Sequence, residues 1–422
     1  MRRATLIVLF FLCISAVVAQ DEGDISPDLA LFLEQVEQET ASLRDLTAQA
    51  DVSLAFPTRE EVIDFLDLQF ETYYTEENIA SDLAFYQGFG LIPADYDLVG
   101  EIANLYGEQV AGYYDSETEI MNVILSSGGS PTDTLPFLDR VIFAHEYVHA
   151  LQDQYFDLDN FYADIEDDNN VDALLARQAL IEGDATFVMT NYTVYLVEND
   201  PLSAVASLGL QLLSLGDISL PADIPHVLEQ ELTYPYFAGE IFVRAIYADG
   251  GWDAVNALYT DNPPLSTEHI LHPERFLAGD MPITVSLADN SGALGDNWQT
   301  VKSGVLGEFY LRELLYTWGM SNTDYDTSAD GWGGDSYIIY QDENDAYAYE
   351  LKITWDNTDE AQEFYQQILS NFSEGDASSE DDRTATPCWV DDFALCILIE
   401  DTTTSISHAP TASSAMILLE TD

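Results

Sequence analysis

Residues 137–155 read Phe-Leu-Asp-Arg-Val-Ile-Phe-Ala-His-Glu-Tyr-Val-His-Ala-Leu-Gln-Asp-Gln-Tyr, and the rest of the chain has to be arranged around them. Apolar residues at Phe137, Leu138, Val141, Ile142, Val148 and Leu151 follow helical spacing. On such a helix His145 and His149, four apart, share a face, so two neutral imidazoles can point at one ion. Glu146 sits one residue round, near the ion but off the ligand axis. There a carboxylate can take a proton from metal-bound water instead of binding the metal. The chain holds six histidines in 422 residues, so this spacing is not expected by chance. The bland alternative is a pair of hydrogen-bonded histidines on a buried helix.

A zinc site open to substrate needs a third protein ligand. The metzincin arrangement would place glycine at 152 and histidine at 155, but the chain has Gln152 and Tyr155 there. The better candidate is Glu182, in Leu180-Ile-Glu-Gly-Asp-Ala185, because a carboxylate in so apolar a stretch needs a cation or hydrogen-bonding partner. Its alternative is a surface acid in an acid-rich chain. Gly183 would let two helices approach closely and bring Glu182 toward the histidines. A carboxylate is also expected behind a zinc-binding histidine to fix its tautomer. Asp153 and Asp184 are the candidates, and a salt bridge to Arg177 is the alternative for Asp184.

These residues resemble a zincin metallopeptidase of the gluzincin type, related in plan to thermolysin. The resemblance implies an α+β fold with a zincin-like catalytic domain of edge strands and two active-site helices. It implies zinc as cofactor, His145, His149 and Glu182 as ligands and Glu146 as general base. It implies that the strand pair within 110–124 carries an edge strand for extended substrate. Gluzincins also use a His or Tyr beyond the third ligand as oxyanion donor, which makes His272 the first candidate and Tyr236 the second. Either could instead be a core or loop anchor. The thermolysin pattern has aspartate four residues after the third ligand, and this chain has Thr186 there. Specific matching covers only about residues 105–190. The order of the blocks Gly107–Asp115, Ala144-His-Glu, Glu182-Gly-Asp-Ala and Ser266–Pro273 is also similar to exported bacterial HExxH proteins of unassigned activity.

Composition bounds the partners. With 12 Lys+Arg against 77 Asp+Glu the net charge is −65, so nucleic-acid phosphates and anionic lipid would be repelled. Apolar residues are 47% of the chain, enough for a real core despite that charge. Arg2 and Arg3, the apolar run Ala4–Val18 and the small-residue site at Val17-Val-Ala19 read as a signal peptide over 1–20. A secreted or extracytoplasmic protein follows, with no stable membrane insertion once the signal is removed. An oxidising compartment favours a disulfide between Cys388 and Cys396, against the alternative of two buried thiols. The acidic loop Asp157–Asn170 is a candidate for calcium, although a solvated run is the default in so acidic a chain.

The expected organisation is a signal peptide (1–20), an N-terminal helical segment (21–60), a metallopeptidase domain (61–288) and a smaller α+β module (289–422). The linker-like Asp289–Asp296 precedes that module. Residues 21–60 fit either an inhibitory pro-segment or part of the fold. The function expected is hydrolysis of a peptide or protein substrate. Two rivals stand beside it: a non-catalytic envelope binding or assembly protein with a structural or vestigial zinc site, and a metal-free acidic adhesion or scaffold module.

Overall fold

The structure is a computed structural model, and it describes residues 25–128, 131–162, 165, 169–199, 201, 223–373 and 386–420. The expected signal peptide, the run Ala204–Leu220 and the acidic positions Asp164, Glu166, Asp167 and Asp168 lie outside the described residues.

The chain is a mixed α+β structure. Helix α1 (Pro27–Arg44) starts on Ser26, whose hydroxyl accepts from the Leu29 N–H. Strand β1 (Ser53–Ala55) leads to α2 (Arg59–Tyr73), where Thr58 and Glu61 form a reciprocal capping box. Helices α3 (Glu76–Gly88) and α4 (Leu98–Gln109) follow. Strands β2 (Gly112–Asp115) and β3 (Ile120–Val123) are an antiparallel pair, and β1 joins the far side of β3 in parallel. The turn between them is held by Asp115, whose Oδ1 accepts from the Glu117 N–H, with Glu119 left-handed at φ 57°. The sheet order β1-β3-β2 leaves β2 at an edge, against helix α5 (Phe137–Phe156).

Beyond the short α6 (Leu158–Phe161), α7 (Val171–Asn199) runs through the interior, with every residue from Val171 to Val188 buried. A helix buried all round must partner each polar group it carries. Helix α8 (His226–Ala257) packs against it. Gly250 and Gly251, the latter at φ 66°, interrupt α8 and turn its last part. Short helices α9 (Thr267–Leu271) and α10 (Pro273–Ala278) close this half.

The second sheet is antiparallel throughout, in the order β4-β5-β6-β9-β8-β7. Its strands are β4 (Trp298–Gly304), β5 (Trp332–Asp342), β6 (Tyr347–Trp355), β7 (Cys388–Val390), β8 (Ala394–Glu400) and β9 (Thr403–Ala409). Helices α11 (Ser291–Leu294), α12 (Gly307–Thr317), α13 (Asn322–Ala329), α14 (Thr358–Ser373) and α15 (Ala412–Glu420) accompany it. Alternation along β5 buries both faces: Tyr337 and Ile339 join one cluster, Ile338 and Tyr340 another.

The first of these clusters is shared with the preceding half. Phe89, just after α3, packs on Tyr349 with ring centroids 4.8 Å apart, and Phe85 of α3 stands 5.0 Å from Tyr310. The C-terminal sheet is therefore built onto the helices rather than tethered beside them. Asn290, in the stretch of linker composition, is buried: its N–H donates to the Tyr340 hydroxyl and its side-chain amide to Glu350. Cys388 and Cys396, opposite one another on β7 and β8, form the disulfide. Among the described residues no helix is long and apolar enough to cross a membrane.

Candidate metal centre

Local helix geometry puts His145 and His149 on one face of α5, and α7 brings Glu182 to meet them. The Nε2 atoms of the two histidines are 3.1 Å apart. Glu182 Oε2 lies 3.2 Å from His145 Nε2 and 3.5 Å from His149 Nε2. All three side chains are buried. Donors held about 2.05 Å from a tetrahedral centre stand about 3.3 Å from one another. The observed triangle has the size of one face of such a tetrahedron, so the donor set fits zinc in dimension as well as chemistry.

Gln152 settles the tautomer of His149. Its Nε2 lies 3.0 Å from the Ile181 carbonyl and 3.1 Å from Asp184 Oδ2, both acceptors. The amide nitrogen must face them, so Oε1 faces His149 Nδ1 at 2.9 Å. An amide oxygen only accepts, so Nδ1 carries a hydrogen, and whenever the ring is neutral its Nε2 lone pair points into the triangle. Burial would lower the His149 pKa, but the Glu182 carboxylate, aided by Glu146, holds it above its usual value. Glu182 is itself pulled down by the imidazoles against the opposing effect of burial. The field here favours positive charge.

Glu146 is buried beside this triangle, against strand β2. A Cβ placed on Gly112 would come within 2.9 Å of Glu146 Cγ and 3.1 Å of the Asn122 carbonyl. Glycine at 112 is what lets the edge strand lie over the carboxylate, which also accepts from the Tyr114 N–H. Burial raises the Glu146 pKa, opposed by the two histidines.

The two candidate donors part company. The Tyr236 ring on α8 stands 5.9 Å from the His145 ring, centroid to centroid. His272, the first candidate, is instead held by Glu308, 3.0 Å from Nε2, in a cluster with Arg275 and Arg312. The Ser266–Pro273 block anchors the second half of the fold: Asp172 of α7 accepts from the Thr267 N–H at 2.8 Å.

Three other expectations change. Asp153 accepts from the Tyr114 hydroxyl at 3.0 Å and the Leu158 N–H, rather than backing a histidine. Asp184 pairs with Arg44 of α1, its Oδ1 2.8 Å from Nε, whereas Arg177 donates to the Phe161 carbonyl. Gly183 meets Gly239 of α8: a Cβ there would come within 2.2 Å of the Gly239 carbonyl carbon. Position 183 is about 100° round α7 from Glu182, so its close approach serves a different neighbour. Thr186 is buried and its hydroxyl has no hydrogen-bond partner among the described residues.

The sequence reading missed Gln152, Tyr259, Gly239 and Arg44. Arg44 left one trace, as one of only 12 basic residues in the chain. The remaining histidines are anchors. His226 pairs with Glu313 at 2.7 Å, His269 bonds the Asp280 carbonyl, and His408 packs on Tyr349, its pKa lowered to about 4 by burial.

Residues 297–417 match a family model described as "Domain of unknown function (DUF8575)". No curated protein matches the chain. No solved structure matches it.

Proposed function

We propose that this chain is an exported, zinc-dependent peptidase with a zincin-like catalytic half. The observation that carries the reading is the buried triangle of His145 Nε2, His149 Nε2 and Glu182 Oε2, with edges of 3.1–3.5 Å. Zinc held there would supply a Lewis acid that polarises the substrate carbonyl and makes water more acidic.

The chain's own groups account for the remaining steps. Glu146, buried next to the triangle, takes a proton from the attacking water and hands it to the leaving amine. Burial raises its pKa, which makes it a better proton acceptor than an exposed carboxylate. The phenol of Tyr236, beside His145, donates to the oxygen on which charge develops. Strand β2, at the edge of its sheet and over Glu146, is placed to bind extended peptide by backbone hydrogen bonds.

A closed structural site would need a fourth protein ligand. Asp184 and His272, the candidates for that place, are engaged by Arg44 and Glu308, which favours the open reading. The disulfide supports an oxidising compartment. The calcium candidate retains Asp157 and Asp159 among the described residues. Asp157 accepts from the Asn160 amide within its own turn, and Asp159 from the Ser116 hydroxyl in the turn between β2 and β3.

Substituting Glu146→Gln tests the assignment. Zinc content should stay at the wild-type level while hydrolysis of an unfolded protein substrate such as casein is lost. Wild-type turnover in the variant would remove Glu146 as the base, and zinc-free wild-type protein would remove the metal reading altogether.

A further inference from the structure

We propose that Arg44, on the N-terminal helix α1, is a positioning residue of the metal centre, acting on His149 through Asp184 and Gln152. The inference rests on the metal-centre reading and extends it to a part of the chain that the motif does not include.

Arg44, Asp184 and Gln152 are all completely buried. Arg44 Nε lies 3.0 Å from Asp184 Oδ2, its Nη2 donates to Asn256 Oδ1 at 2.8 Å, and its guanidinium stacks 4.3 Å over Trp252. Asn256 and Trp252 reach it because α8 breaks at Gly250 and Gly251. Asp184 also accepts from the Tyr259 hydroxyl at 2.9 Å. Arg44 thus holds the Asp184 carboxylate in place through a buried ion pair.

The placement of Asp184 then matters for the histidine. Gln152 Nε2 turns toward Asp184, the Ile181 carbonyl and the Tyr259 oxygen, leaving its Oε1 for His149 Nδ1. Without Arg44 to hold the Asp184 carboxylate against the Gln152 nitrogen, the preference for that amide orientation weakens. A flipped Gln152 would offer N–H to Nδ1 and stabilise the other tautomer, whose Nε2–H blocks the metal position. In many zinc sites a carboxylate touches the histidine directly. Here an amide lies between them, and the side chain that holds the carboxylate comes from α1. Helix α1 is on this reading part of the working centre, not a detachable inhibitory segment.

The test is zinc affinity of the full chain, measured by competition with a chromophoric chelator. Arg44→Met and Gln152→Met should each weaken zinc binding about 10- to 100-fold. The double variant should bind no more weakly than the poorer single one, because both cut the same relay. Glu313→Gln, which breaks a comparable ion pair with His226, should lower the melting temperature yet leave zinc affinity unchanged. Nitrogen-15 shifts of His149 in zinc-free protein, taken at a pH where the ring is neutral, should show the Nδ1–H tautomer in the wild type and a mixture in Gln152→Met.

Equal zinc affinity in wild type and both variants, or additive losses, would overturn the relay while leaving the metal reading intact. A wild type that binds no zinc would sink the metal reading, and the nitrogen shifts would still decide the relay. If Arg44→Met does not fold, the neutral change Gln152→Met carries the test.

Discussion

Replacing Gly239 by alanine probes how the site is assembled. The added Cβ would stand 2.0 Å from the Ala179 carbonyl oxygen and 3.0 Å from Gly183 Cα. Both neighbours are backbone and cannot rotate away. Ordinary contact needs at least 3.4 Å, so α7 and α8 would have to separate by more than about 1 Å at this crossing. Overpacking of this kind costs about 1–3 kcal/mol, and the better helix propensity of alanine returns at most about 1 kcal/mol. A net loss of about 2 kcal/mol is expected, read as a lower urea midpoint with unchanged slope. The site should suffer too. Glu182 adjoins Gly183 on α7 and Tyr236 lies three residues before Gly239 on α8, while metal–ligand distances tolerate only about 0.2 Å. Zinc affinity should therefore drop at least about 10-fold. Gly292→Ala, where a Cβ meets nothing within 4 Å, is the control and should leave zinc affinity unchanged and stability no lower than wild type. A Gly239→Ala protein as stable as wild type would show that the helices are not held at this distance by their glycines.

Glu231 offers a pH test independent of the metal. Burial lifts its pKa from 4.5 to about 8, although the Tyr310 and Tyr86 hydroxyls donate to it. The fold thus prefers the neutral form, and this contribution is complete below pH 4.5 and lost as pH rises through about 8. At 1.36 kcal/mol per pKa unit the loss is about 5 kcal/mol. Glu231→Gln should gain on wild type between pH 5 and about 8 in urea unfolding and level off above that, and parallel pH profiles would contradict this. Replacing Cys388 and Cys396 by serine opens a link between residues 8 apart, worth about 2–3 kcal/mol at most. Zinc affinity should be unaffected, because the bridge lies on the outer strands of the second sheet, and a loss of metal binding would refute that separation.

Some of this was readable from the chain because it is local. The imidazoles at i and i+4 share a face whatever surrounds α5, and Thr58 with Glu61 closes its own capping box. The turn at Asp115 is made by that residue's own carboxylate. Cys388 and Cys396 face each other across a short hairpin. Glu182 was also legible, since an acid amid Leu180, Ile181 and Ala185 demands a partner. Helices α3 and α4 and strands β4 and β9 escaped: their periodic signals are short, and their burial is decided by partners far along the chain.

What the sequence by itself determined is the set of groups that a single helix or turn can align: two imidazoles, a neighbouring carboxylate, and an acid that must be paired. Only the tertiary structure decided which distant groups complete them. It assigned Asp184 to Arg44, interposed Gln152, set Tyr236 beside His145 and gave His272 to Glu308. The reason is that these choices depend on how helices cross. That is fixed here by glycine-to-glycine contact between α7 and α8 and by a break at Gly250–Gly251, and periodicity within one helix carries no information about either.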